Sequence, residues 1–189
     1  ALKDANFAHD AAEIKINCIS KQLVTKADSV NYVAELLDLY DKAPENTAYF
    51  KMLADYFLAN GHEREVSQFA MSETKKNPEN KLGWMLKGAV EQKNMRCVDA
   101  INSFKCALSI DSTYVPAVYN IGKCYYNEAK LLKDSMQVSK LRFRKADEIK
   151  YRELLQSAKQ WIVKASLLDP KQEEMESKQM LEYINKVIR

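Results

Sequence analysis

The chain has 189 residues, of which 47% are hydrophobic and 29% charged, a composition typical of a folded protein of one or two domains. Only four glycines and four prolines are present, which argues against sandwich and barrel folds with many turns and favours helices joined by short corners. The net charge of +3 is too small to indicate nucleic-acid binding. No run approaches about 18 apolar residues, so no membrane span is expected.

Apolar residues at helical spacing predict a series of helices along the chain. They cover residues 10–25, 29–43, 47–59, 63–76, 81–93, 97–110, 115–134, 142–168 and 172–188. The second has a start signal, because Asp28 and Ser29 offer capping oxygens before the apolar series that begins at Val30. The last follows Asp169 and Pro170, and its mixed apolar and charged pattern suits a terminal helix that covers one exposed face.

A repeat of 34 residues runs through the sequence, and Pro44 and Pro78 mark two of its corners. A small residue recurs at this period, at Ser20, Ala54, Gly88 and Gly122. A large apolar residue recurs four positions earlier, at Ile16, Phe50, Trp84 and Val118. The small position predicts a close crossing of two helices, because a large side chain there would force the helices apart.

On these residues the chain resembles the tetratricopeptide repeat family, whose unit is a 34-residue helix–turn–helix. The third unit matches the family's pattern best, at Trp84, Gly88, Ala100, Phe104 and Ala107. The resemblance implies an all-α, right-handed superhelical solenoid in a single domain spanning the whole chain. Its repeats would be 13–46, 47–80, 81–114 and 115–172, followed by a capping helix over 172–188.

The units depart from the family's pattern in places. Tyr32 and Val66 replace the usual alanine of the first two units. In the third unit Lys87 and Glu91 stand where apolar residues are expected. Leu86 and Val90 can take over the buried positions if the helix is rotated by one residue.

The fourth unit contains an insertion of about 24 residues near 133–152, which predicts that its two helices extend into a protruding hairpin. Seven basic residues against three acidic ones give this stretch a charge of +4. Two interpretations stay open, a solvated basic surface and a docking patch for an acidic partner or an anionic surface. The candidate patch is Lys140, Arg142, Phe143, Arg144 and Lys145.

The resemblance also implies a ligand groove along the first helix of each unit. Carried onto this sequence, its candidate residues are Asn17, Lys51, Met52, Asp55, Leu82, Met85, Leu86, Tyr119, Asn120 and Lys123. An apolar floor with a polar edge suits a protein or peptide segment. Alternatively, the apolar members pack inside the stack. The carboxylate clamp of chaperone-binding relatives is not assembled, because Met85 and Ala89 stand where that subclass requires Lys and Asn.

No catalytic, cofactor or metal motif is found in the sequence, and His9 and His62 are isolated. The cysteines lack zinc spacing and are expected to be buried and reduced, with a Cys106–Cys124 bridge as an alternative. The expected function is therefore a non-enzymatic protein-interaction scaffold that needs no cofactor. The alternative is a structural spacer or self-assembly segment of a larger protein. No signal peptide is visible, and the compartment stays open between the cytoplasm and a bacterial periplasm or envelope.

Overall fold

The computed structural model describes residues 26–43, 47–59, 63–138, 145–169 and 174–188. These residues form helices joined by short corners, and the described part contains no strand. The helices are α1 (Lys26–Lys42), α2 (Thr47–Ala59), α3 (Glu63–Lys76), α4 (Lys81–Lys93), α5 (Cys97–Ile110), α6 (Val115–Val138), α7 (Lys145–Leu168) and α8 (Glu174–Val187). None of them is long and apolar enough to cross a membrane.

The helices predicted from the sequence agree closely with these bounds. Those over 47–59, 63–76, 81–93 and 97–110 are confirmed to the residue. The helix predicted over 29–43 starts three residues earlier, at Lys26, so the proposed cap at Asp28 and Ser29 is wrong: both residues lie in the first helical turn. The helix predicted over 10–25 lies outside the described residues.

The chain divides into two compact units, residues 1–63 and 64–189. In the first unit α1 packs on α2. Its described core is aromatic and aliphatic: the ring of Tyr32 lies 5.2 Å from that of Tyr56, and the ring of Tyr40 lies 5.9 Å from that of Phe50. Tyr32, which stands where the family usually has alanine, is buried in this core.

The second unit contains two helix pairs, in which α4 packs on α5 and α6 packs on α7. Each pair crosses at a glycine. A β-carbon on Gly88 would lie 2.4 Å from Cε1 of Phe104, and one on Gly122 would lie 2.8 Å from Cγ1 of Ile162. Two of the small positions of the repeat, Gly88 and Gly122, are therefore helix crossings, as the sequence predicted.

Two apolar cores hold the second unit together. One lies between α5 and α6 and includes Phe104 and Ile121. The other lies among α6, α7 and α8 and includes Leu155, Ile162 and Ile184. The signature alanines of the repeats are buried in these cores: Ala100, Ala107, Ala158 and Ala165.

The rotation suggested for α4 is observed. Leu86 and Val90 are buried, whereas Lys87 is half-buried. Glu91 is also buried, and it is stabilised there because Oγ of Ser103 donates a hydrogen bond of 2.6 Å to its carboxylate. Nζ of Lys87 lies 3.9 Å from the other carboxylate oxygen. A charged residue at an apolar repeat position is thus accommodated by a hydrogen bond from the partner helix.

The corners of the second unit are fixed by polar contacts. The side chain of Asn80 caps α4 by accepting a hydrogen bond from the backbone N–H of Leu82 at 3.0 Å. Lys81 at the start of α4 donates to the carboxylate of Asp111 at the end of α5, at 2.6 Å. This bond and those from Thr113 lower the pKa of Asp111 to about 2.

Candidate functional site

The first helices of the third and fourth repeats, α4 and α6, form one face of the second unit. Nε2 of Gln92 on α4 donates to the backbone oxygen of Asn120 at 3.4 Å and to Sγ of Cys124 at 3.2 Å, both on α6. The two helices are therefore joined by a side chain near the C-terminal end of α4.

The predicted groove residues of this face differ in their exposure. Leu82, Met85, Asn120 and Lys123 are half-buried and offer part of their surface to solvent. Leu86 and Tyr119 are each only 5% exposed. Leu86 therefore packs inside the helix stack, which is the alternative to a ligand-binding role that the sequence left open for the apolar groove residues. Any segment bound to this face would therefore rest mainly on the half-buried members.

The amide of Asn120 is oriented within its own helix, because its Nδ2 donates to the backbone oxygen of Pro116 at 2.8 Å. Its Oδ1 can still accept a hydrogen bond, and its second N–H can still donate one. Together with the thioether of Met85 and the isobutyl group of Leu82, this face combines apolar contact area with a hydrogen-bonding edge.

The other predicted site residues lie elsewhere. On α2 of the first unit, Lys51 and Asp55 are exposed and Met52 is half-buried. Lys145, at the first residue of α7, is exposed. The rest lie outside the described residues: Asn17, Lys140, Arg142, Phe143 and Arg144.

Sequence reasoning did not find the seam between α6 and α8, which is bridged by long side chains. Nζ of Lys123 lies 2.9 Å from the carboxylate of Glu176, and this hydrogen bond lowers the pKa of Glu176 against the opposing effect of burial. The ion pair joins a predicted groove residue to the terminal helix. The only sequence signal for the pair is the acidic start of the last helix.

A second bridge lies almost three turns further along α6, at Lys133. Its Nζ donates to the hydroxyl of Tyr183 at 3.0 Å, and this hydrogen bond raises the pKa of Lys133. The hydroxyls of Tyr183 and Tyr151 are 2.8 Å apart, and burial raises the pKa of Tyr151. The ring of Tyr126 meets that of Tyr183 edge-on, with centroids 5.8 Å apart.

Two open cavities flank the ring of Tyr126 in this seam. The first encloses about 180 Å³ and is lined by Tyr126, Lys130, Lys133, Asp134 and Tyr183. The second encloses about 220 Å³ and is lined by Lys123, Tyr126, Asn127, Glu176, Gln179 and Met180. Both can hold polar groups of a ligand, since ammonium, hydroxyl, amide and carboxylate groups line them.

The described cysteines are free thiols: Cys97, Cys106 and Cys124. Cys97 and Cys124 are buried, and burial raises the pKa of Cys124 to about 12, so this thiol stays protonated at neutral pH. No cluster of three or more His, Cys, Asp or Glu residues suited to a metal ion is found within the ranges that the structure describes.

No protein-family model matches the sequence, and no curated protein matches it either. Solved structures do match. The first tetratricopeptide domain of Spaghetti (RPAP3), bound to the HSP90 peptide SRMEEVD, is 13% identical with a TM-score of 0.54, over 76% of this chain and 94% of that one. The TPR2B domain of yeast Sti1, in a complex with pHsp70, is 14% identical with a TM-score of 0.50, over 72% and 93%.

A third match is longer than this chain. A monomeric mutant of IFIT1 with Gppp-AAAA is 18% identical with a TM-score of 0.66, over 93% of this chain but 37% of that one. These likenesses, together with the glycine crossings and the paired helices, show that the chain has an all-α fold of the tetratricopeptide type.

Proposed function

We propose that this protein is an interaction module that holds a segment of a partner protein against the face formed by α4 and α6. The half-buried row of Leu82, Met85 and Asn120 on a tetratricopeptide-type fold is the observation that carries this proposal. Methionine adapts its shape to irregular partners, and a neighbouring amide can pair with a ligand's backbone.

The two related domains support a peptide as the ligand class, because the RPAP3 domain is bound to an HSP90 peptide and the Sti1 domain is in a complex with pHsp70. The partner of this chain is expected to differ from chaperone tails. Met85 and Ala89 replace the Lys and Asn of the carboxylate clamp, and Lys123 is already paired with Glu176. A segment that is more apolar than a chaperone tail fits the α4–α6 face better, because Leu82 and Met85 offer apolar contact area there.

Site-specific photocrosslinking tests the proposal. A benzoylphenylalanine placed at Leu82 or at Asn120 should crosslink to one partner in the native cell. The matched control places the same group at Asn102 or Lys105, which are exposed on α5. Equal crosslinking from α5, or none from Leu82 and Asn120, would count against the proposed face.

A charge substitution tests the same face by affinity. Met85→Glu should weaken capture of the crosslinked partner by tenfold or more, about 1.4 kcal/mol, because an apolar contact would be replaced by a desolvated carboxylate. Tyr119→Ala is not suitable as a second test of this face, because Tyr119 is buried and the loss of its ring would disturb the core. Lys105→Glu is the control, and circular dichroism should confirm that both variants are folded.

A second function, self-association, is favoured by apolar side chains on the outer side of α7. Leu167 is 78% exposed, and Val163 and Leu168 are 38% and 39% exposed. If this surface pairs two copies, Leu167→Glu should lower the association constant about tenfold or more in sedimentation equilibrium, whereas Asn102→Glu, on exposed α5, should not. A wild-type chain that stays monomeric at every concentration would rule this function out.

A further inference from the structure

The cavity around Lys133 carries an excess of positive charge at a fixed position. Two lysines, Lys130 and Lys133, line it against one carboxylate, that of Asp134. Nζ of Lys133 is held by the hydroxyl of Tyr183 at 3.0 Å, and that hydroxyl is held in turn by Tyr151 at 2.8 Å. The ammonium group is therefore oriented before any ligand arrives, which lowers the entropy cost of binding an anion.

Lys130 lies almost one turn before Lys133 on the same helix and is exposed. Among the residues that the structure describes, none forms an ion pair with Lys130. A ligand's carboxylate can thus accept hydrogen bonds from two ammonium groups, one held by Tyr183 and one exposed. The ring of Tyr126 offers an apolar wall for the methylene groups of an acidic side chain.

Asp134 limits what the cavity can accept. Its carboxylate leaves the lining with a formal charge of one positive unit, which suits a singly charged carboxylate better than a phosphate with nearly two charges. A nucleic-acid backbone would need many more cations than these two lysines. The charge balance therefore favours one acidic group of a protein segment.

The second cavity continues from the other side of the Tyr126 ring towards Lys123. Asn127 and Gln179 line it, and their amides can pair with the backbone of an extended peptide. Ten residues of α6 separate Lys123 from Lys133, a length of about 15 Å at a rise of about 1.5 Å per residue. A fully extended peptide covers this distance with about five residues.

We propose that the seam between α6 and α8 binds an extended protein segment of about five residues whose carboxylate enters the cavity of Lys130, Lys133 and Tyr183. This inference rests on the proposed function in one respect, because both take a segment of a partner protein as the ligand. Apart from Lys123, the residues of the seam are distinct from those of the α4–α6 face, and they include part of α8. The carboxylate can be an Asp or Glu side chain or a free C-terminus.

Titration by NMR with short peptides tests the seam. The probe is a five-residue peptide of one glutamate followed by four alanines, acetylated and amidated. It should shift the signals of Lys130, Lys133 and Tyr183 and bind weakly, with a Kd of about 1 mM. Replacing the glutamate by glutamine should weaken binding about tenfold, since the negative charge that pairs with Lys130 and Lys133 is lost. An all-alanine peptide with a free C-terminus shows whether the terminal carboxylate serves as well.

Three substitutions make the prediction specific. Lys133→Met should weaken binding about tenfold and Lys130→Met by several-fold, while Asp134→Asn should tighten it because a repulsive charge is removed. Lys105→Met, which removes an equal charge from exposed α5, should change nothing. Lys130→Met keeps the test valid if Lys133→Met loosens α8, because Lys130 does not contact α8 in any described interaction.

The inference is overturned if the glutamate and glutamine peptides bind equally, or if Lys105→Met weakens binding as much as Lys130→Met. It is also overturned if Asp134→Asn weakens binding. If the peptides do not bind the seam but a partner still crosslinks to Leu82, the inference fails and the proposed function is still supported. Binding in the seam without crosslinking at Leu82 or Asn120 would support the seam and contradict the α4–α6 face.

Discussion

Gly88 lies where α4 crosses α5. Three atoms of the Phe104 ring lie 2.4, 2.6 and 2.9 Å from the place that a β-carbon on Gly88 would occupy. Phe104 is fully buried, so its ring has little room to move away. A glycine in mid-helix usually costs about 1 kcal/mol relative to alanine, and here the close crossing outweighs that cost.

Gly88→Ala should therefore destabilise the protein by about 1–3 kcal/mol, because the added methyl group overpacks the crossing. Urea unfolding followed by circular dichroism measures the effect. Combining Gly88→Ala with Phe104→Leu should cost less than the sum of the two single changes, since the shorter side chain clears part of the space. A higher unfolding midpoint for Gly88→Ala would contradict this account of the crossing.

Asp111 is the residue whose titration reports the contact between the ends of α4 and α5. Its pKa of about 2 is lower than the ordinary value of 3.8, mainly through the hydrogen bond from Lys81. A carboxyl group with a lowered folded pKa stabilises the fold above its unfolded pKa, and that contribution is lost as the pH falls from about 4 towards 2.

Lys81→Met should raise the pKa of Asp111 towards its ordinary value. At pH 3.8 the Asp111 carboxyl should be almost fully ionised in the wild type and much more protonated in the variant, as carbon-13 NMR can show. Lys164→Met, on α7, is the control and should leave the titration of Asp111 unchanged. An equal titration midpoint in wild type and Lys81→Met would show that the contact does not form in solution.

At the scale of the element, α8 forms one side of the seam with α6, and it also contributes to the apolar core among α6, α7 and α8. Its buried residues are Ser177, Met180 and Ile184, and Ile184 is fully buried against α6 and α7. The opposite side of the helix is exposed at Glu182 and Lys186. The helix thus covers the apolar end of the helix stack and shows solvent its charged face, as its sequence pattern indicated.

Ile184→Ala should cost about 2–5 kcal/mol of local stability, because it leaves a cavity in this core. Hydrogen exchange of α8 amides should speed up strongly, while exchange in α4 and α5 should change little. Glu182→Ala, two residues earlier on the exposed face of α8, is the matched control and should leave the exchange of α8 nearly unaltered. Uniformly faster exchange across the second unit would instead mean that α8 unfolds only with the whole unit.

At the scale of the whole molecule, the second unit contains both apolar cores and the candidate sites on α4, α6 and α8. A fragment of residues 64–189 should therefore fold alone and unfold in one cooperative transition. Its amide NMR spectrum should overlay that of the full chain for α5 to α8. A fragment with the spectrum of an unfolded chain would show that the first unit is needed for folding.

The helices themselves were largely predictable from the sequence, because their ends are marked by local chemistry. Asn80 caps α4, and the corners at 94–96 and 111–114 interrupt the apolar period, so the bounds of α4 and α5 could be read directly. The start of α1 was missed by three residues, since Asp28 and Ser29 favour a cap but also tolerate a first helical turn.

The candidate sites were less predictable. A shift of one residue rotates a helix by about 100° and changes which side chains are buried, so sequence spacing could not decide that Leu86 is buried while Lys87 remains half-exposed. The cavity at Lys133 depends on Tyr151 and Tyr183, which lie 18 and 50 residues further along the chain. No local pattern places these three side chains together.

The sequence by itself determined the all-α fold and its glycine crossings, because small and large residues recur at one period and a close crossing tolerates only a small side chain. Only the tertiary structure decided which polar groups meet. Lys123 reaches Glu176 at 2.9 Å, and Lys133 reaches Tyr183 at 3.0 Å, because α8 lies alongside α6. Such contacts follow from the packing of distant helices, and packing depends on the summed shape of both surfaces rather than on local propensity.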